Sequence, residues 1–532
     1  MKRLLPVVLA VLLTGASPPP RPGPNVEAVP GEARPAPTAR TLSGAEKGFF
    51  TPEADWASLG AVLVQDAGRR KPLEAFAREK LWRILGSQTH EGQSPVCTLF
   101  SMCFDPLWDR ARVLKAGHPE LVRRLGADPE RKRVSLEDLG SEAFERLMAQ
   151  AEGRMKEERT ALDRAVLDLA DRGLTLRDLP GHLRVLPSGD GPWLAMGESP
   201  PGRTVAPAAY ILANNAFAAM AGAWLHQDRD GFSAAAREWA SACGEAAAAE
   251  RAELGGRISL ERNYYRFQPF RWALGLYFLA LLFHLGAWAA SRPGLKRAGT
   301  WLMIGAFVLH GGGIAARVAL AGRPPVSNMY EVILYVSWAV AASSFAAEAI
   351  LKLGVTAAPA CAMACIGLVA PAVFPFLEGV MGQPLPLDPH IGQVQAVLNN
   401  SYWLTVHVCT IATSYAILFL GFATGMAYLL TKNEAADQAS YRVSQLGFLF
   451  LTAGVLTGAW WANASWGRYW GWDPKETGAF ITWCVYAAYL HLRRFGFLAA
   501  RGSAWMTGLG FLAILYTLIV PSYFLKGLHG YA

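Results

Sequence analysis

Apolar positions are not spread evenly along the 532-residue chain. From about Phe270 onward they gather into runs near 270–290, 299–320, 329–351, 354–376, 404–430, 443–461, 476–496 and 503–521. Runs of roughly twenty residues match the hydrocarbon core of a bilayer when wound as helix. The pattern predicts about eight membrane-crossing helices within 263–532. Upstream the pattern is of another kind. Pro72–Gly86 has helical spacing (Leu73, Phe76, Ala77, Leu81, Ile84, Leu85), Leu136–Leu169 is charged and amphipathic, Gly173–Ser199 is broken by Gly and Pro, and Gly231–Leu254 is Ala-rich and helical in character. The expected fold is all-α: a polytopic membrane helix bundle preceded by a mainly helical exported soluble domain over 41–262. Met1–Ala16 has Lys2 and Arg3 before an apolar core and is expected to be a signal peptide or anchor; 17–40 is a Pro-rich linker.

Charge sets the orientation. One set of loops carries Arg292, Lys296 and Arg297, Lys352, Lys432 and Arg442, and Arg493, Arg494 and Arg501; the other carries mainly Arg323, Arg468, Lys475 and Lys526. The richer set is expected in the cytoplasm. That leaves the 377–403 loop, the Trp-rich segment and the C-terminus outside, as the signal peptide does for the soluble domain. The net charge of +8 is accounted for by these loops, so nucleic acid is not an expected partner. Seven Cys fit no disulfide-rich scaffold, and no C-x-x-C-H is present. Cys97 and Cys103 are open between a disulfide and two buried thiols. Cys361 and Cys365, one turn apart in an apolar run, fit buried small hydrophobes.

The candidate chemistry lies in the Trp-rich loop at 460–476. Trp466, Trp470 and Trp472 share it with Gly467 and Gly471. An interfacial aromatic belt explains Trp near a membrane, but not this packing. Rings with Gly between them suit a flat, apolar, polarisable ligand. His407 sits at the outer end of the fifth run and His529 in the tail after the eighth, on the same face. Two such imidazoles beside an aromatic platform can make a bis-imidazole haem site. His491, His310 and His284 lie inside runs, where ionisable residues are functional candidates, with a hydrogen-bonded core His as the alternative. Asp473-Pro474-Lys475-Glu476 has the form of a helix start, with Asp473 as N-cap. Arg468 and Lys475 can pair with carboxylates or face headgroups. Ser327 is the expected N-cap of the third run, with Glu331 well placed for the helix dipole.

W-G-R-Y-W-G-W-D-P-K-E-T (466–477) resembles the Trp-rich signature of the membrane haem-handling proteins of cytochrome c biogenesis. P-P-V-S-N-M-Y-E (324–331) and S-Y-W-L-T-V-H-V (401–408) resemble segments of the CcsA (ResC) branch, System II. The order of His407, the Trp loop, His491 and His529 agrees, so the resemblance covers about 270–532. It implies His407 and His529 as axial ligands of an outer haem b, with Trp466, Gly467, Trp470, Trp472 and Asp473 as its platform. It implies His491 as one ligand of a second haem, partnered from a ResB/CcsB-like protein or by His284 or His310. The implied activity is export of haem and its attachment to the C-x-x-C-H of apocytochrome c, as part of a cytochrome c haem lyase (synthase). A thiol-reducing partner and membrane lipid are expected, in the bacterial inner (cytoplasmic) membrane with the soluble domain and Trp loop periplasmic. The rivals are a transporter of another substrate, which the scarcity of charge in the runs weakens, and a non-haem scaffold. Residues 41–262 show no catalytic constellation.

Overall fold

The structure is a computed structural model. It describes residues 50–127, 132–155, 158–189, 191–199, 207–324, 326–352, 354–381 (backbone alone over 375–381), 387–392, 402–525 and 527–529. The expectations for 1–16 and 17–40 lie outside the described residues. The chain divides into two units, with the division at Arg262 and Asn263 inside the helix Ala248–Phe267.

The first unit is helical around one apolar core. Leu73–Leu85 begins after extended Pro72 and stops at Gly86, whose φ of 72° closes the last turn on the Trp82 carbonyl. Phe76, Ala77, Leu81, Ile84 and Leu85 form its buried face. The charged stretch at 136–169 is not one helix. Ser141 caps Glu142–Glu152, and a Thr160–Asp163 capping box opens Ala161–Arg177. Each hydroxyl accepts from an otherwise orphaned N–H, so the chain restarts helix at these points.

Among the described residues three antiparallel strand pairs interrupt the helices: Leu63–Asp66 with Arg69–Pro72, Leu114–Lys115 with Arg133–Val134, and Arg184–Leu186 with Leu194–Ala195. The first is hidden in the sequence because Arg69, Arg70 and Lys71 occupy a strand. Lys71 is buried, held by Asp66 at 2.8 Å and by Glu79. Cys97 and Cys103 lie on one helix, Pro95–Phe104, and are not joined by a disulfide.

Among the described residues the second unit holds eight long helices: α1 (Pro269–Ala290), α2 (Pro293–Ala321), α3 (Met329–Leu351), α4 (Ala357–Met381), α5 (Tyr402–Thr431), α6 (Glu434–Trp466), α7 (Pro474–Arg494) and α8 (Ala500–Tyr523). Seven of them are long and apolar enough to cross a membrane. The protein is a multi-pass membrane protein. α7 has 21 residues, about 31 Å at 1.5 Å per residue, but Lys475 and Glu476 at one end and Arg493 and Arg494 at the other lower its hydropathy. The first unit's Ala208–His226 meets the apolar measure by composition. It buries Ala213, Ala216, Met220 and Trp224 in that unit's own core.

α1 pairs with α2, α5 with α6 and α7 with α8, while α5 also packs on α3 and α8. Lipid supplies little hydrophobic drive between helices, so close approach decides such packing. Gly447 of α6 receives Leu418, Gly454 receives Ile411, and Gly421 of α5 faces Ser444.

A buried ionic cluster fixes the start of α3. Glu331 accepts from Arg317 at 3.0 Å and Arg323 at 2.8 Å, and also from the Ser327 N–H at 3.0 Å. Arg317 reaches on to the carbonyls of Pro389 and His390, and Arg323 to that of Gly392. The N-cap of α3 is Asn328, which accepts from the Glu331 N–H at 2.8 Å, and not Ser327 as expected. Ser327 turns its hydroxyl to the Pro324 carbonyl instead.

Candidate functional site

The starts of α3, α5 and α7 and the ends of α6 and α8 meet around one cavity of about 200 Å³. His407, Trp461, Tyr469, Trp470, Lys475 and His529 line it. Two histidines 122 positions apart (529 − 407) are thus brought to one space by the pairing of α5 with α6 and of α7 with α8.

Each imidazole is oriented from behind. His407 Nδ1 lies 2.9 Å from the Gly454 carbonyl of α6. Its ring stacks parallel to Trp461, with centroids 6.0 Å apart and an 8° interplanar angle. Gly458 makes room for it, since a Cβ there would stand 2.6 Å from His407 Cε1. His529 Nδ1 lies 2.8 Å from Asp473 Oδ2. Trp466 meets the His529 ring edge-on at 4.8 Å, and Trp461 at 5.6 Å. In both residues Nδ1 is committed to an oxygen, which fixes the tautomer and directs Nε2 to any ligand. This is how metal-binding histidines are commonly held.

Asp473 is the junction of the site. It caps α7 through the Lys475 N–H, and Glu476 returns the bond to the Asp473 N–H at 3.1 Å, completing a capping box. Its other oxygen accepts from the Leu528 N–H at 2.6 Å, which ties the tail after α8 to the start of α7. Burial alone would raise the Asp473 carboxyl, but the hydrogen bond and charge from His529 outweigh it and hold the group below the usual carboxylate range.

The Trp residues separate by role. Trp470 faces the cavity. Trp466 stands behind His529. Gly467 is the left-handed C-cap of α6, with φ 71°, and is outside the lining. Trp472 also lies outside the lining, with its ring largely exposed and its backbone at φ 57°. The residue that sequence reasoning passed over is Trp461, fully buried between both histidines. Gly454 and Gly458, four apart on α6, carry the signal that could have found that wall, because small residues at this spacing mark close helix contact.

The other candidate histidines are not brought to the cavity. His310 of α2 is fully buried between Phe270 and Tyr277 of α1, at 5.4 and 6.0 Å, and neither ring nitrogen makes a well-formed hydrogen bond. His284 of α1 is buried against Gly299 of α2, and its Nε2 likewise has no hydrogen-bond partner. His491 lies exposed on α7 with Nδ1 on its own Ala487 carbonyl at 2.8 Å. α7 packs on α6 and α8, so His491 is not joined to the α1–α2 hairpin. No cluster of three or more metal-ligating side chains occurs among the described residues.

The profile of the family described as Cytochrome C assembly protein matches residues 326–529, which contain the whole cavity lining. The chain is 33% identical over 298 residues to the cytochrome c biogenesis protein CcsA of Synechococcus sp. (strain CC9605), covering 48% of this chain and 94% of that one. It is 32% identical to the CcsA of Thermosynechococcus vestitus (strain NIES-2133 / IAM M-273 / BP-1), covering 48% and 93% respectively. A solved chain described as Cytochrome c Heme Lyase CcmF aligns at TM-score 0.37 and 20% identity, over 47% of this chain and 45% of that one. With nearly the full length of its CcsA relatives accounted for, the chain belongs to the CcsA family of cytochrome c biogenesis proteins.

Proposed function

We propose that this cytochrome c assembly protein holds haem b as its cargo in the cavity between His407 and His529 and presents it there for attachment to apocytochrome c. One observation carries the reading: two imidazoles lining one cavity, each with Nδ1 already engaged. The donor set fits the group. Neutral imidazole is a common axial ligand of haem iron, and the wall is otherwise largely apolar and aromatic. His407 and His529 supply the axial nitrogens, Trp461 and Trp466 hold those imidazoles, and Trp470 offers its ring to the porphyrin.

The attachment step adds a Cys S–H of the C-x-x-C-H across a haem vinyl group. A C–S bond forms, the vinyl double bond becomes single, and the thiol proton ends on the other vinyl carbon, with no net redox change. The chain's contribution is orientation, worth several orders of magnitude when the reacting atoms are held close. The cavity end of the bundle is assigned to the periplasmic side of a bacterial inner membrane by the distribution of Lys and Arg among the loops. The first unit is assigned to the same side. His491 is assigned to a second haem on the export route. Its exposed position on α7 favours a partner ligand from a separate ResB/CcsB-like subunit over His284 or His310, and a thiol reductant serves the apocytochrome.

The test is the absorption spectrum of the full chain purified from membranes. The unaltered protein is expected to carry a low-spin, two-imidazole haem signature. His407→Ala with His529→Ala is expected to remove at least one haem equivalent and that signature. A spectrum unaltered by losing both side chains would sink the assignment.

A further inference from the structure

Arg468 and Lys475 are equal candidates for meeting an acid while only the sequence is considered, but the structure separates them. Arg468 is exposed, and its guanidinium folds over Gly471, outside the cavity lining. Lys475 lies in the lining, beside His407 and His529. No other Lys or Arg lines the cavity among the described residues.

Lys475 makes no ion pair among the described residues. The nearby carboxylates point most of their oxygens at other donors, with Glu476 Oε1 alone left without a hydrogen-bond partner. Asp473 accepts from the Lys475 N–H and from His529 with one oxygen, and from the Leu528 N–H with the other. Glu476 turns Oε2 to the N–H groups of Gly471 and Asp473. A cation in a mostly apolar wall is costly unless an acid meets it, and among the described residues no carboxylate of this chain is within ion-pair distance of the Lys475 ammonium. The first turn of α7 adds a second pull, because a helix N-terminus favours negative charge.

We infer that Lys475 is the carboxylate anchor of this cavity, taking a propionate of the haem whose iron His407 and His529 hold. The inference rests on the proposed haem site and deepens it. Two axial imidazoles fix the iron but leave the ring free to turn about their common axis. Protohaem carries both propionates on one side of the ring and both vinyls on the other. A single cation in the wall removes that freedom: it draws the propionate edge to the start of α7 and leaves the vinyl edge turned away from it. Lys475 is therefore a positioning residue that selects which edge of the ring is offered to the incoming thiols.

The experiment compares protohaem with its dimethyl ester, in which the carboxylates are neutral, on the purified full-length protein stripped of pigment. The unaltered protein is expected to bind the ester about tenfold or more weakly, the size of a lost charge-assisted hydrogen bond. Lys475→Met is expected to bind both forms alike, at about the ester's level. Lys475→Arg and Arg468→Met are expected to retain discrimination. If the unaltered protein binds both equally, or if Lys475→Met still discriminates fully, the inference is overturned while the haem site stands. If neither form gives the two-imidazole spectrum in the unaltered protein, the site assignment itself fails, and the inference with it. The ester comparison on the unaltered protein needs no substitution, so a poorly folding variant does not shield the idea.

Discussion

Two regions of the membrane unit hold buried or half-buried histidines and treat them in opposite ways. At the cavity, His407 and His529 are each gripped by an oxygen at Nδ1 and flanked by indole rings. In the α1–α2 hairpin, His310 is pressed between Phe270 and Tyr277 with no well-formed hydrogen bond, and His284 leaves Nε2 unsatisfied against Gly299. An imidazole fixed in tautomer and direction is prepared for a metal. One surrounded by hydrocarbon has no such preparation and sits at a cost in desolvation. Burial of a histidine inside a membrane protein is thus a weaker sign of ligation than the oxygen behind its ring.

The sharpest way to break this contrast is at Asp473. Asp473→Asn can still cap α7, because Asn is as good an N-cap as Asp. It removes the anionic acceptor of His529, and the expected loss is about ten- to a hundredfold in haem affinity at the cavity, typical of an outer partner of a metal-binding His. Haem titration followed by absorbance measures it, with circular dichroism as the check that the helices persist. Unchanged affinity would mean that orientation from behind is irrelevant here.

Gly458→Ala tests the other grip. The added methyl would stand 2.6 Å from the His407 ring and must displace it, at about 1–3 kcal/mol of overpacking strain. The expected result is a roughly tenfold weaker and spectrally broadened haem complex, although Ala favours helix over Gly. The same titration reads the outcome, and a wild-type spectrum would show that His407 does not need this seat.

The smallest effect is expected in the hairpin. His310→Leu replaces an imidazole lacking good partners by an apolar side chain, a change that is near neutral or stabilising when no partner is orphaned. The thermal midpoint of the detergent-solubilised protein should hold or rise, with cavity haem unchanged. Loss of pigment on this substitution would show that His310 is a ligand after all.

Part of this contrast is legible in the order of the amino acids alone. Asp473-Pro474-Lys475-Glu476 spells a helix start, and the capping box forms there because Asp at N-cap and Glu at N3 satisfy each other's orphan donors. The long apolar runs become helices because their backbone can satisfy itself only within the segment. What stays hidden is tertiary. Trp461 is indistinguishable in the sequence from its neighbour Trp460, yet one is fully buried beside His407 and the other is exposed. Which of two adjacent rings faces inward depends on the rotation of α6, set by Gly454 and Gly458 against α5. Asn328 caps α3 in place of Ser327 because Glu331 captures the Ser327 N–H within an ionic cluster whose other members, Arg317 and Arg323, come from the end of α2 and the turn that follows it. The hairpin Leu63–Asp66 with Arg69–Pro72 escaped periodicity because its buried Lys71 is compensated by Asp66 and Glu79, not by apolarity.

The doubled use of the Asp473 carboxylate leaves this position almost no neighbours in mutational space. Glutamate has the charge but is one methylene too long to cap the helix while still meeting Leu528 and His529. Asparagine has the length but lacks the charge, and serine can cap but has a single oxygen where two are in use. A site whose start of helix, chain tail and imidazole all answer to one side chain changes as a block or not at all.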